Sequence, residues 1–249
     1  MTGFIAARSP LSLPRALMLM VTLFAAAAGI FWVAVWTSPG QRIDQWLFDA
    51  SRDLPALDGM PEVLDVAVVS DPLLWLVLAA VVVISVQIAR ARTHAGVGRG
   101  LAVTAALLVF PPIMIVVARV LRDDLLVRPH LHDWITQTEN SAPSGHAAAL
   151  TAAVVLLVLI VPPVLRPWVG LLGAAWIAVI DVGLITSGWH RPSDVLISSL
   201  LVVGAGVLLP DPWRAPARAT VLQHPRNHQG AVDDAQSAAE DRWSRANVA

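Results

Sequence analysis

Six long apolar stretches are the feature that most limits what this 249-residue chain can fold into. They contain a single ionisable side chain, Asp181, and charged residues make up only 14% of the whole chain. A soluble domain has nearer a quarter of its residues charged, so lipid is the expected solvent. A helix crosses a bilayer with about 20 apolar residues. The sequence therefore predicts an all-α, polytopic membrane protein with six transmembrane helices in a bundle.

The predicted membrane domain covers residues 1–210. Its spans are about 16–36, 73–89, 101–121, 147–165, 168–186 and 193–210. The remaining residues, 211–249, are polar and poor in large apolar side chains, which predicts a disordered tail.

The arginines predict which way the spans face. Arginines without acidic neighbours occur before the first span, after the second span and after the fourth, whereas segment 37–72 is rich in acids. Positive side chains accumulate in cytoplasmic loops. We therefore expect cytoplasmic termini and a site at the outer ends of the helices. The absence of lysine and the richness in alanine, valine and arginine suggest a bacterial plasma membrane.

Composition also excludes several classes of function. The chain has no cysteine, which excludes disulfides, thiol nucleophiles and cysteine-ligated metals. Every basic residue is arginine, so there is no lysine for a Schiff base or a P-loop. A formal net charge of −1 does not provide the basic surface that binds nucleic acid. The bilayer is the expected partner, and nucleic acid is not.

Two local patterns refine this map. Residues 41–50 are expected to form a short helix on the outer surface, with Ile43, Trp46 and Leu47 on one face. The pair Pro162-Pro163 is expected to bend or end the fourth span, because proline lacks the N–H that a helix interior uses.

The second predicted outer loop, 186–194, contains candidate catalytic residues. His190 and Asp194 are four residues apart, and Pro192 stands where a first-turn helical proline belongs. This spacing allows the carboxylate to accept the Nδ1–H of the imidazole, which leaves Nε2 as a nucleophile or base. The alternative is an ordinary helix start, in which Ser193 or Asp194 caps free N–H groups.

The first predicted outer loop, from Arg119 to His146, contains a second group. Ser144 and Gly145 immediately precede the fourth span, so the N–H groups and dipole of that helix can bind an anion. His146 can then act as a general acid, and Arg128 offers donors suited to phosphate. The ordinary alternatives are a serine N-cap and an arginine that binds lipid headgroups. Phosphoryl transfer is the reaction that uses all of these groups together.

These residues resemble the three signature motifs of the type-2 phosphatidic-acid phosphatase superfamily. The motifs are Arg128-Pro129, then Pro143-Ser144-Gly145-His146, then His190 followed by Asp194. The resemblance extends over residues 70–210 and includes the expected six spans. It implies a membrane phosphatase that needs neither a metal nor another cofactor.

The resemblance also implies a role for each residue. His190 is phosphorylated, Asp194 orients it, and His146 protonates the leaving oxygen. The implied phosphate ligands are Arg128, Ser144 and Gly145.

Two positions depart from the family pattern. Leu121 stands where the first motif opens with lysine, and Leu184 stands where the third motif usually carries arginine. Arg122 and Arg191 are the nearest replacements, and we predict that both bind phosphate.

Other polar residues admit alternatives. A carboxylate within a span is costly to bury, so Asp181 is expected to pair with Arg119 or Arg122. The alternatives are that Asp181 is protonated and inert, or that it takes part directly in catalysis. A second alternative is a metal site in which His130, His132 and Asp133 join one of the two motif histidines.

The expected function is hydrolysis of a lipid-linked phosphomonoester or pyrophosphate, such as an isoprenoid diphosphate, at the outer leaflet. The first rival is a catalytically degenerate relative that serves as a lipid-binding or assembly subunit, since Leu121 and Leu184 replace cations. A transporter is a weaker rival with only Asp181 in its favour, and a vanadate-dependent haloperoxidase ranks last.

Overall fold

The computed structural model describes residues 12–52, 71–135 and 139–215, which form helices and connecting loops and contain no strand. The chain divides into residues 1–214 and 215–249, and residues 216–249 of the predicted tail lie outside the described ranges. The described α-helices are α1 (Leu13–Trp36), α2 (Ser38–Arg52), α3 (Pro72–Thr93), α4 (Val97–Val120), α5 (Gly145–Ile160), α6 (Arg166–Thr186) and α7 (Pro192–Gly206). A π-helical turn, Leu121–Leu125, continues α4.

Each predicted span coincides with one of these helices, but the helices differ in length. Four are long and apolar enough to cross a membrane, namely α1, α3, α4 with its π-helical turn, and α6. Helices α5 and α7 have only 16 and 15 residues, or about 24 and 22 Å at 1.5 Å per residue. The described residues thus contain four candidate spans, and the count of six stays a prediction.

The short helices are the interior ones. Nine of the 16 residues of α5 are buried, and α7 packs against both α1 and α5. Helix α5 also contacts α4 and α6, so longer helices surround it. It ends at Ile160, just before Pro162-Pro163, as the sequence predicts. The long helices expose leucine, valine and tryptophan side chains on their outer faces, which suits contact with lipid.

Glycines allow the closest helix crossings. A Cβ atom at Gly204 of α7 would meet the ring of Phe24 in α1, and one at Gly173 of α6 would meet Val154 in α5. Small residues at such crossings let helix backbones approach within a membrane, where packing supplies most of the association energy.

The predicted surface helix is present as α2, and it is longer than the expected 41–50. Its apolar side chains Ile43, Trp46 and Leu47 are exposed, whereas Asp44 and Gln45 are buried against the protein. The polar side of α2 therefore faces inward, toward the loop that precedes α7.

Residues 211–214, which the sequence assigns to the tail, contact the helical bundle. Asp211 accepts hydrogen bonds of 2.9 and 2.7 Å from Arg166 at the start of α6. The indole N–H of Trp213 donates to the carbonyl of Ile160. We call the end of the bundle where α5 and α7 begin the site end. The contacts of Asp211 and Trp213 lie at the opposite end, which we call the far end.

Candidate active site

The loop between α6 and α7 has a backbone that fixes the position of His190. Gly188 adopts a φ of 78°, a conformation that favours glycine, and the chain turns back there. The N–H groups of Trp189 and His190 then both donate to the carbonyl of Leu184, at 3.1 and 3.3 Å. His190 is consequently held beside the last turn of α6 with only 7% of its surface exposed.

His190 and Asp194 lie next to each other, but the hydrogen bond that the sequence predicts between them is not formed. The Nδ1 atom of His190 lies 3.7 Å from Oδ2 of Asp194, just beyond hydrogen-bond distance. Asp194 is completely buried. Its Oδ2 accepts from the N–H of Arg191 at 2.8 Å and from the hydroxyl of Ser141 at 2.6 Å. The carboxylate is thereby fixed in a position where it can orient the imidazole.

Helix α5 begins at the second motif. The hydroxyl of Ser144 accepts from the N–H of Ala147 at 3.2 Å, which is an N-cap, and Ser144 is fully buried. The N–H of Ser144 donates to the carbonyl of Asp194 at 3.3 Å and so joins the two candidate loops. A Cβ atom at Gly145 would meet no protein atom within 4 Å. This leaves open space at the helix N-terminus, where an anion is favoured.

The two motif histidines lie side by side. The ring centroids of His146 and His190 are 6.2 Å apart, and the ring of His146 is 5.5 Å from that of Trp189. His146 lies in the first turn of α5, whereas His190 precedes α7. The fold thus brings a candidate general acid close to a candidate nucleophile from separate helices.

Arg128 joins this cluster from the loop after α4. Its Nη2 donates to Oδ1 of Asp194 at 3.2 Å, and its Nη1 lies 3.9 Å from Oδ2 of Asp44. The side chain is only 5% exposed, and its Nε has no hydrogen-bond partner among the described residues. A buried donor without a partner is costly, so an anionic ligand would relieve that cost.

The two substitute arginines lie in different surroundings. Arg122 donates from Nε to its neighbour Asp123 at 2.7 Å, and the charge of Asp194 acts on it from a longer distance. Arg191 is 2% exposed and donates from Nε to Gln45 at 3.3 Å. Burial lowers the pKa of Arg191, as does the nearby charge of Arg128. Phosphate binding by Arg122 and Arg191 stays a prediction.

Leucines occupy the two positions that depart from the family pattern, and the structure shows the surroundings of each. Leu184 is 1% exposed and belongs to a buried cluster with Ala147, Ile180 and Val195. No cation could replace it there without being buried among these side chains. Leu121 opens the π-helical turn.

Two further alternatives can be compared with the structure. The predicted partner of Asp181 is absent among the described contacts: its Oδ1 is buried without a hydrogen bond, Arg122 pairs with Asp123, and Arg119 is exposed. The described residues contain no group of three or more histidines and acids placed to hold a metal ion. The ring of His132 instead lies 3.2 Å from the hydroxyl of Ser38.

Sequence reasoning missed several polar residues that contact the site. Asp44 accepts from the N–H and hydroxyl of Ser193 at 3.0 and 2.7 Å. Burial raises the pKa of Asp44, while the bonds from Ser193 oppose the rise. Ser141 and Gln45 hold Asp194 and Arg191. Ser141 could have been singled out from the sequence because it lies two residues before the second motif. Nothing in the sequence singles out Asp44 or Gln45.

Part of the chain matches a known family. Residues 125–211 match the family model of the PAP2 superfamily. The PAP2 match confirms the resemblance drawn from the motifs, and it includes every catalytic candidate. It indicates phosphatase-type activity in general. Comparisons with curated proteins and with solved structures found no match.

Proposed function

We propose that this protein is a metal-independent phosphatase that hydrolyses a lipid-linked phosphomonoester or pyrophosphate through a phosphohistidine on His190. The observation that carries the proposal is the pairing of two imidazoles with 6.2 Å between their centroids. The His190 imidazole faces Asp194, and the His146 imidazole stands at a helix N-terminus. The PAP2 match supports phosphatase chemistry on independent grounds.

In the first step, Nε2 of His190 attacks phosphorus and the bond from phosphorus to the leaving oxygen breaks. Protonated His146 gives its proton to that oxygen, so the lipid product leaves as an alcohol or a monophosphate. Asp194 stabilises the positive charge that develops on His190. Arg128 and the N–H groups at the start of α5 oppose the charge on the phosphoryl oxygens.

In the second step, a water molecule attacks phosphorus of the phosphohistidine. Neutral His146 accepts a proton from this water, the bond between phosphorus and Nε2 breaks, and inorganic phosphate forms. His190 is then free and His146 is protonated again. The two histidines thus supply the nucleophile, the acid and the base.

An apolar groove supports a lipid substrate. A cavity of about 360 Å³ is lined by α5 residues that include Leu150, Ala153 and Leu157. These positions follow His146 at intervals of four, three and four residues, which places them on the same face of α5. The side chains Trp75 of α3 and Trp176 of α6 complete the groove. A lipid chain in this groove would leave its phosphate near His146.

A second candidate function is that of a non-catalytic lipid-binding relative. The burial of Leu184 in an apolar cluster favours it, because the site lacks a cation at that position. The catalytic proposal places the phosphate charge on Arg128 and the start of α5 instead.

The decisive experiment is hydrolysis of a panel of lipid phosphates and isoprenoid diphosphates by the purified full chain in excess EDTA. We expect release of inorganic phosphate at the same rate with and without EDTA. Activity that disappears in EDTA and returns with a divalent ion would contradict the metal-independent mechanism. If no member of the panel, nor p-nitrophenyl phosphate, is hydrolysed, the non-catalytic alternative is favoured.

The proposed orientation places the site on the outer face of a plasma membrane. Because the chain has no cysteine, a single one introduced in 186–194 is a unique label. We expect it to react with an impermeant thiol reagent on intact cells, and one in 90–100 to react only after permeabilisation. The reverse pattern would place the site in the cytoplasm.

A further inference from the structure

Helix α2 turns a carboxylate toward the protein and large apolar side chains away from it. Asp44 is only 4% exposed and faces the protein, while Ile43 and Trp46 are 60% and 66% exposed. A carboxylate is costly to bury unless other groups compensate its charge and hydrogen bonds. The contacts of Asp44 therefore indicate what its burial achieves.

Asp44 caps α7 from a different helix. The first position of α7 is Pro192, which has no N–H, and the N–H of Arg191 is taken by Asp194. Ser193 is the next residue, and both its N–H and its hydroxyl donate to Asp44. The carboxylate also lies at the positive end of the α7 dipole. Asp44 thus fixes the start of α7, immediately after His190.

Asp44 also contacts the candidate phosphate ligand. The guanidinium of Arg128 lies between Oδ1 of Asp194, at 3.2 Å, and Oδ2 of Asp44, at 3.9 Å. All three side chains are at most 5% exposed. Their mutual attraction is therefore weakly screened by water. Two carboxylates from separate helices, α2 and α7, determine where this guanidinium lies.

We propose that Asp44 is a positioning residue of the active site: it holds the start of α7, and with it His190 and Asp194, in register with Arg128. This inference rests on the proposed function. Asp44 lies outside the matched residues 125–211, so the inference comes from the contacts of α2 alone.

The proposal predicts opposite effects on turnover and on phosphate affinity. In Asp44→Asn the amide still accepts from the N–H of Ser193 but no longer attracts Arg128. The site loosens and turnover falls, since small misplacements of catalytic groups are costly. At the same time Arg128 loses one of its two neighbouring negative charges, so an incoming phosphate is attracted more strongly. A residue with only a structural role would weaken both properties together.

The test measures hydrolysis of p-nitrophenyl phosphate by the full chain, together with inhibition by inorganic phosphate. For Asp44→Asn we expect kcat to fall about 10-fold and the inhibition constant for phosphate to fall about 3-fold. The matched control is Asp124→Asn, the same change at an exposed position in the π-helical turn. It should leave both constants at the parental values.

Ser193→Ala examines the same contact from the other side. It removes the hydroxyl bond but keeps both carboxylates on Arg128, so kcat should fall about 3-fold with phosphate inhibition unchanged. The proposal is overturned if Asp44→Asn retains parental kcat, or if kcat and phosphate affinity fall together. If the parent proves inactive, the proposed function fails separately. Calorimetric titration with inorganic phosphate then still decides, because Asp44→Asn must bind it more tightly than the parent.

Discussion

Each end of the helical bundle is held by an arginine–aspartate pair, and the two pairs lie in different surroundings. At the far end, Arg166 and Asp211 make two short hydrogen bonds, and their side chains are 23% and 27% exposed. At the site end, Arg128 and Asp194 are 5% and 0% exposed and are 3.2 Å apart. The far pair is partly hydrated, whereas the site pair is removed from water.

The difference in exposure separates a structural anchor at the far end from the proposed active site. A partly exposed pair gains little net stability but can fix one segment against another, and the far pair joins the chain after α7 to the start of α6. The site pair shares its arginine with Asp44 and its carboxylate with Ser141, beside the His190 ring. A cluster of this kind is costly to bury for stability alone. The proposed function gives these charges and hydrogen bonds a role in binding a phosphoryl group.

The largest effect should come from His190→Ala. Without this imidazole no phosphoenzyme forms, so turnover should fall on the order of 10⁴-fold or more whatever the leaving group. Steady-state phosphate release measures the change. A far-end control is His94→Asn, since His94 ends α3 with a φ of 53°, which asparagine tolerates. Equal losses in both variants would show that the two ends do not differ in the way described.

Asp194→Asn should rank second. The amide keeps the shape of the side chain, but it cannot stabilise a charged imidazole and favours the wrong tautomer, with a loss of about 10³–10⁴-fold. Activity assays on folded protein, checked by thermal unfolding, measure this loss. The matched change at the far end, Asp211→Asn, should keep at least half of the parental turnover. A larger loss there would contradict the comparison.

His146→Ala should rank third and depend on the substrate. A poor leaving group loses about 10²–10⁴-fold without its general acid. An acidic leaving group such as p-nitrophenol should lose much less, because it departs without a proton. The ratio of the two rates in parent and variant measures the effect. An equal loss with both substrates would remove His146 from the acid role.

The smallest effect should be on stability at the far end. Burial raises the pKa of Asp211, but hydrogen bonds from Arg166 and from the N–H of Trp213 outweigh it and hold the pKa below its ordinary value. The pair should therefore contribute about 1 kcal/mol above pH 4, lost as the pH falls through the folded pKa. Thermal unfolding of the parent and Asp211→Asn should converge at low pH. A difference that grows on acidification would contradict this sign.

The features that could be predicted from the sequence are those that depend on residues close together in the chain. Apolar runs locate the helices because each run must satisfy its own backbone hydrogen bonds in lipid. The second and third motifs locate Ser144 and His190 because a helix begins at each of them. The end of α5 was predictable from Pro162-Pro163 for the same reason.

Features that depend on distant contacts were not predictable. Asp44 and Ser193 are 149 residues apart in the chain. The apolar residues of α2 indicated a surface helix but not which side faced the protein. The lengths of α5 and α7 were overestimated because hydropathy continues beyond the backbone signals that end a helix. The sequence predicts phosphate binding for Arg122, but it did not show that this side chain pairs with its neighbour Asp123.

The central claim is that phosphate is transferred to His190, and rapid chemical quench tests it most directly. The parent and His190→Ala would be mixed with a ³²P-labelled substrate, quenched in alkali within milliseconds, and examined for protein-bound label. We expect a label in the parent that is stable in alkali, is lost in acid and maps to His190, and we expect none in His190→Ala. Label retained by His190→Ala, or carried by a different residue in the parent, would contradict it.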